Sequence, residues 1–120
     1  MSEWIKNYVL SKSSYFINYD DVREKIEIKC KEIESICEKY SIDNKIKVFD
    51  KEAHIIINNQ ELDTITWKIA DDSVILRIKN KEANILLNGM NTYSIIYKGI
   101  CQRRDTIDKA IDYALEKLLN

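Results

Sequence analysis

The spacing of apolar residues changes twice along the chain, and these changes separate helical segments from strands. Between Val22 and Tyr40, apolar residues recur every three or four positions, as on one face of an α-helix. From Lys45 onwards the period becomes two, which is typical of half-buried antiparallel strands. The helical spacing returns between Ile107 and Leu119. The pattern predicts helices over 3–11 and 22–41, strands within 45–101, and a last helix over 106–119.

Acidic residues stand at the predicted starts of the two longer helices. Asp21 followed by Glu24 resembles a capping box, and Asp105 precedes the last helix. A carboxylate at such a position accepts hydrogen bonds from the unpaired N–H groups of the first turn. We therefore expect Asp21 and Asp105 to be N-caps.

The pairing of the strands follows from the requirement that apolar side chains stay together on one face. The connections that satisfy it are two-residue turns at Asp50-Lys51, Asp71-Asp72 and Asn80-Lys81, and a three-residue loop at Gly89-Met90-Asn91. The predicted cross-strand pairs include Val48 with Ala53, Trp67 with Leu76, Leu76 with Ile85, Ile75 with Leu86, and Ile85 with Ile95.

A meander of this kind has room for helices on one of its faces. Six strands at about 4.8 Å spacing give a sheet about 25 Å wide, and a helix is about 10 Å across. The sequence contains no internal repeat. We predict a single α+β domain over 1–120 with two layers. One layer is an antiparallel meander of about five to six strands, and the other consists of the N-terminal helix or helices and the C-terminal helix, packed on one face.

The charges of the chain nearly cancel. Nineteen basic and twenty acidic residues leave a formal net charge of −1, so no long-range field of one sign is expected. No stretch approaches the roughly 18 apolar residues that cross a bilayer. Cys30 and Cys37 are seven residues apart on one predicted helix, about 10 Å, which is too far for a disulfide. Free thiols indicate a reducing compartment, and we expect a cytoplasmic protein without membrane contact.

Catalytic motifs are absent from the sequence. His54 is the only histidine, so sites that need two imidazoles are excluded. Two glycines are too few for a phosphate-binding loop or a dinucleotide fingerprint. We therefore expect neither an enzyme nor a cofactor or metal site.

The second face of the predicted sheet is polar and cationic. Lysine and arginine side chains on an open sheet suit a nucleic-acid backbone or a nucleotide, although exposed aromatic residues for base stacking are missing. The strand residues predicted to bind an anion are Lys47, Lys68, Arg77, Lys79 and Lys98.

Two adjacent arginines extend this candidate anion site. Arg103 and Arg104 immediately precede the first turn of the last predicted helix, whose N–H groups also attract anions. Alternatively, the two arginines form ion pairs with Asp105 and Asp108 at an exposed junction. The sequence leaves both interpretations open.

Four apolar residues, Ile56, Ile75, Leu86 and Ile96, interrupt the polar face. An apolar centre with a charged rim is typical of a protein interface, and the predicted contact between Ile75 and Leu86 favours such a centre. A third interpretation is that the polar residues only keep the sheet soluble and discourage edge pairing.

These observations favour a small non-enzymatic interaction module that docks a protein partner or forms a homodimer through this face. The alternative is a module that binds nucleic acid or a nucleotide there. Abundant Ile, Lys and Asn without proline hint at an AT-rich genome, and we expect an accessory or inhibitor protein of a virus or mobile element.

Overall fold

The computed structural model describes residues 3–12, 17–70, 72–88 and 92–120. Its helices are α1 (Glu3–Lys12), α2 (Tyr19–Lys39) and α3 (Ile107–Leu119). Its strands are β1 (Asn44–Val48), β2 (Glu52–Ile57), β3 (Asp63–Ile69), β4 (Ser73–Ile78), β5 (Lys81–Leu87), β6 (Tyr93–Tyr97) and β7 (Ile100–Arg104). The protein is α+β, as predicted.

The seven strands form one antiparallel sheet in sequence order, β1 to β7. Helix α3 packs against β4 to β7, and α2 packs against α3 and β1. The core between the two layers contains fully buried side chains from both, such as Ile26, Leu76, Ile85 and Ile111. No helix packs on the opposite face of the sheet among the described residues, so the sheet is open on that side.

The sheet has one strand more than the five to six predicted. Lys98 and Gly99, both with positive φ, form a two-residue turn that pairs Tyr97 with Ile100 and starts β7. Positive φ at both central residues suits the right-handed twist of a hairpin. The prediction ended the strands at residue 101 because β7 is almost fully exposed and shows no apolar alternation.

Both predicted N-caps are wrong by one to three residues. Asn18 caps α2, and its Oδ1 accepts hydrogen bonds from the backbone N–H groups of Asp20 at 2.8 Å and Asp21 at 3.3 Å. Thr106 caps α3, and its Oγ1 accepts from the N–H of Lys109 at 3.1 Å. The acidic residues take different positions: Asp21 lies in the first turn, where a carboxylate interacts favourably with the helix dipole.

Most of the predicted register is confirmed. Val48 pairs with Ala53, Trp67 with Leu76, and Ile85 with Ile95. Residues 89–91, the predicted three-residue loop, lie outside the described residues.

The predicted register between β4 and β5 is wrong by two residues. The turn lies at Lys79-Asn80, so Leu76 pairs with Ala83 and Arg77 pairs with Glu82. A shift of two residues keeps every side chain on its face, so the apolar pattern cannot distinguish the two registers. The observed register places opposite charges across from each other, which stabilises a strand pair.

Candidate interaction surface on the open sheet face

The face of the sheet opposite α2 and α3, called the open face here, carries the polar positions of the strands. Its side chains are half-buried or exposed, with Ser94 as a buried exception. Lys68 and Arg77 are exposed, whereas their strand neighbours Trp67 and Leu76 are 3% and 0% exposed. The predicted division of the sheet into a covered and an open face is therefore confirmed.

Three of the four apolar residues predicted for an interface lie together on this face. Ile75 pairs with Asn84, which in turn pairs with Ile96 on the next strand. Leu86 follows Asn84 by two residues on the same face and is 38% exposed. Ile75, Leu86 and Ile96 therefore surround Asn84, and we call them the apolar trio.

The contact predicted between Ile75 and Leu86 is a diagonal one. Leu86 pairs directly with Ser73 on β4 and with Ser94 on β6. Diagonal neighbours on one face are about 7 Å apart, still within reach of long side chains. The two-residue shift between β4 and β5 thus changes the cross-strand partners but keeps the patch contiguous.

Ile56 does not belong to the apolar trio. It lies on β2 opposite Lys45, and the strand register places it about 20 Å along the strand direction from the row of Ile75. There it lines a small depression of about 170 Å³ together with Asp43, Asn44, Lys45 and Asn59. The structure therefore separates this residue from the other three predicted partner-binding positions.

Two of the predicted anion-binding cations are engaged by carboxylates. Arg77 Nη2 lies 2.6 Å from Glu82 Oε1, and Arg77 Nε donates to the same oxygen. Lys79 Nζ lies 3.3 Å from Glu61 and 3.4 Å from Asp63, and the hydrogen bond to Glu61 raises the pKa of the Lys79 amine. To bind an external anion, each of these cations would first have to lose its ion pair with a protein carboxylate.

The cations beside the apolar trio have no carboxylate within 4 Å among the described residues. Lys68 pairs with Ile75 on one side of the trio. Arg103 pairs with Ser94 on the other side, on β7. The trio is therefore flanked by one positive charge on each side.

The remaining cations lie away from the trio. Lys47 is exposed on β1, across from His54, whose Nε2 lies 3.2 Å from Glu52 Oε2. Lys98 is in the turn before β7, with its amine 5.4 Å from the centre of the Tyr97 ring. These cations border the open face at its far edges.

Arg103 and Arg104 do not form a joint site at the start of α3. They alternate along β7, so Arg103 is on the open face and Arg104 is on the helix side. The Arg104 guanidinium stacks 4.7 Å from the ring centre of Tyr113, and its Nη1 donates to the carbonyl of Arg103 at 2.7 Å. The predicted ion pairs of these arginines are also not formed within the described residues.

Asp105, the residue that follows Arg104, has a different partner from the two arginines. Asp105 pairs with Lys109 at 3.1 Å, and this hydrogen bond lowers the pKa of the Asp105 carboxyl. The charged residues at the end of β7 and those at the start of α3 therefore take part in separate interactions.

Sequence reasoning predicted Arg103 as an anion-binding residue but did not place it on a strand, because it did not predict β7 as a separate strand. Arg103 joins the rim of the trio, and Cys101 pairs with Ile96 and is exposed. The Lys98-Gly99 dipeptide was the available signal, since glycine readily adopts the positive φ that such a turn requires.

The described residues contain no cluster of three or more His, Cys, Asp or Glu side chains arranged for a metal ion. Within the same residues, no helix combines the length and the apolar character needed to cross a bilayer. Comparison of the chain with protein-family models, with curated proteins and with solved structures finds no match.

Proposed function

We propose that the protein is a small non-enzymatic interaction module that docks a protein partner on the apolar trio of the open face. The observation that carries the proposal is the contiguity of Ile75, Leu86 and Ile96 on an uncovered sheet. Apolar side chains at the centre of a polar surface are the usual anatomy of a protein interface.

The charges around the trio define the chemistry of the partner. Lys68 and Arg103 flank the apolar centre, whereas Arg77 is neutralised by Glu82. A complementary surface is therefore apolar at its centre, with a carboxylate on each side. The interaction gains affinity from burial of the trio, and the two cations set the orientation.

Nucleic acid suits this surface less well. Arg77 and Lys79 already have carboxylate partners, and the trio occupies the centre of the face, where a phosphate backbone would lie. The described residues of the open face include no large aromatic ring next to the trio on which a base could stack. The proposal therefore ranks a protein partner above an anionic polymer.

The free thiols support a reducing location for this module. Cys30 and Cys37 are buried and unpaired, and Cys101 is exposed and unpaired. Exposed free thiols persist in a reducing compartment, so we propose that the module acts in the cytoplasm. An accessory role in a virus or mobile element is part of the same proposal and rests on composition alone.

The test compares two isoleucines of the same face. Ile75→Glu places a charge in the trio, and Ile56→Glu places the same charge about 20 Å away along the strands. The full chain and both variants are immobilised, and the proteins they retain from the native host's lysate are identified and quantified by mass spectrometry. We expect a specific protein to be retained at least about tenfold less by Ile75→Glu and equally by Ile56→Glu, because an interface centre tolerates no unpaired charge.

Thermal unfolding confirms that both variants are folded, and cross-linking from Cys101 shows whether the retained protein lies on the open face. Retention that is insensitive to Ile75→Glu contradicts the proposal. Retention of nucleic acid that is lost with Lys68→Glu and Arg103→Glu, and that weakens with added salt, would instead assign the face to an anionic polymer.

A further inference from the structure

Strand β7 forms one edge of the sheet and is exposed along most of its length. It is the last of the seven strands, and Ile100, Cys101, Gln102 and Arg103 are all exposed. Ile100 is 59% exposed although it lies on the helix side of the sheet. An edge strand of this kind presents backbone N–H and C=O groups to which a further strand can pair.

The strand register identifies which backbone groups of β7 point outwards. The Asn88 N–H donates to the carbonyl of Thr92 at 2.9 Å, so β6 bonds to β5 through its even-numbered residues. Its odd-numbered residues therefore bond to the even-numbered residues of β7, because successive residues of a strand direct their N–H and C=O groups to opposite neighbours. The N–H and C=O groups of Cys101 and Arg103 consequently point away from the sheet. The Arg103 carbonyl accepts from Arg104 Nη1 at 2.7 Å, and its second lone pair is available to a further donor.

Unpaired cations lie on both sides of this edge. Arg103 is on the open face, and Arg104 is on the helix side, where its guanidinium stacks 4.7 Å from the ring centre of Tyr113. The Lys117 amine lies 5.4 Å from the same ring centre. Within the part of the chain that the structure describes, none of these three cations has a carboxylate within 4.0 Å. A strand that adds to β7 therefore meets positive charge on both of its sides.

These charges restrict the kind of strand that can pair. Charged side chains on an edge strand discourage pairing with apolar strands, and like charges directly opposite each other destabilise a strand pair. Pairing of β7 with the β7 of a second copy would bring Arg103 and Arg104 of both copies together, so the second copy is a poor occupant. A strand with carboxylates on both of its sides is complementary to this edge.

We propose that β7 binds an extended acidic segment of a partner protein, which adds to the sheet as a further antiparallel strand. Because Arg103 and Arg104 are adjacent and point to opposite faces, the segment needs two consecutive acidic residues. Three residues after the acid that faces Arg103, the segment reaches Ile100, whose exposed side chain an apolar residue covers. The partner is therefore recognised by the pattern acid-acid-x-x-apolar. Main-chain hydrogen bonds to β7 give affinity, and these side chains give specificity.

The first test uses the peptide fluorescein-Thr-Glu-Glu-Thr-Thr-Val-Thr-amide, whose binding to the full chain is measured by fluorescence anisotropy. We expect saturable binding that Arg103→Glu weakens at least about tenfold, because the substitution replaces an attraction by a repulsion. Lys47→Glu is the matched control, since Lys47 is an exposed cation of the open face on β1, the opposite edge of the sheet. A peptide with lysine in place of the second glutamate should bind the Arg103→Glu chain more tightly than the parent chain. Circular dichroism of each variant confirms that the sheet and helices are retained.

Two N-methylated peptides test the strand addition itself. A methyl group on the backbone nitrogen of the fifth residue, which faces Cys101, removes a hydrogen bond to β7. The same group on the fourth residue, which faces Gln102, replaces an N–H that points to solvent. We expect the first methyl group to weaken binding at least about tenfold and the second by less than about threefold.

The inference does not rest on the proposed function. Ile75→Glu changes the apolar trio and leaves the outward backbone groups of β7 in place. We expect the Ile75→Glu chain to bind the peptide as the parent chain does. The partner of the trio and the acidic strand at β7 can therefore fail separately.

Four outcomes would overturn the acidic strand. The first is a peptide that does not bind at about 1 mM, and the second is an equal loss with Arg103→Glu and Lys47→Glu. The third is displacement of the peptide by a single-stranded oligonucleotide together with equal binding of both methylated peptides, which would make the edge a site for polyanions. The fourth is a mass in solution of twice 14.2 kDa that falls to one chain with Cys101→Pro, which would assign the edge to a second copy.

Discussion

The two faces of the sheet are built from the same strands but meet different physical demands. Ile85 is fully buried under the helices, and the next residue, Leu86, is 38% exposed on the open face. The covered face must be apolar throughout, because its burial drives folding. The open face has no such requirement, so apolar and charged residues can occur side by side on it.

Charges are also used differently on the two sides. On the helical side, Lys29 of α2 lies 2.8 Å from Asp112 of α3 and joins two elements of the fold. On the open face, the pair of Arg77 and Glu82 joins adjacent strands that the backbone already holds together. We therefore expect the pair of Lys29 and Asp112 to contribute more to stability than the pair of Arg77 and Glu82.

The largest expected contrast comes from truncating neighbouring residues of β5. Ile85→Ala should lower the free energy of unfolding by about 2–5 kcal/mol, because it leaves a cavity under the helices. Leu86→Ala should lower it by less than about 1 kcal/mol, because its side chain is partly solvated already. Urea unfolding of both variants measures the difference. Equal losses would show that the open face is covered in solution.

The next contrast concerns thiols in the core and on the open face. Cys30 is 2% exposed, and burial, with a smaller effect of Glu27, raises the pKa of its thiol to about 11. Cys101 is exposed on β7. At pH 8 we expect Cys101 to react with a disulfide reagent at least about 100-fold faster than Cys30, which reacts only after local opening. Comparison with Cys101→Ser assigns the fast phase, and similar rates for the two thiols would contradict the covered face.

The Cys30 thiol makes the stability of the protein depend on pH in the alkaline range. Above pH 9, the ordinary value for a thiol, the unfolded chain releases the Cys30 proton while the native chain keeps it until about pH 11. The native state then binds more protons, so the free energy of unfolding falls as pH rises through this window. Urea titrations between pH 8 and 11 should show a flatter decline for Cys30→Ala than for the parent chain.

The smallest expected effect lies in the ion pair of the open face. Glu82→Gln should change the free energy of unfolding by less than about 0.5 kcal/mol, because the side chains of Arg77 and Glu82 are 55% and 39% exposed and the pair is screened by water. Urea unfolding at low and high salt measures the change. A loss above about 1.5 kcal/mol would mean that the pair is shielded from solvent.

The fold could be predicted from the sequence because side chains at odd and even positions of a strand point to opposite faces of the sheet, a property called parity here. A strand slipped by one residue would turn Trp67 or Leu76 to water, so the assignment of faces was strongly constrained. It did not reach the β4–β5 turn, because a slip of two residues preserves parity. It also missed β7, whose exposed residues satisfy no core requirement.

The candidate site was predicted in part for the same reason. Ile75, Leu86 and Ile96 were placed on the right face by parity, but their mutual contacts depend on the register across three strands. Ile56 shares their parity and lies far away, because parity says nothing about position along a strand. Arg103 and Arg104 were read as one site, although residues that are adjacent along a strand point to opposite faces.

The amino-acid sequence by itself determined the order of helices and strands, the face of each strand residue and the near-neutral charge. The first two are local or periodic properties, set by residues close together along the chain, and the net charge is a sum over the whole composition. Only the tertiary structure decided which open-face residues are neighbours and which cations are neutralised by carboxylates. These depend on distances between residues far apart in sequence, which the pairing register and the packing of the helices set.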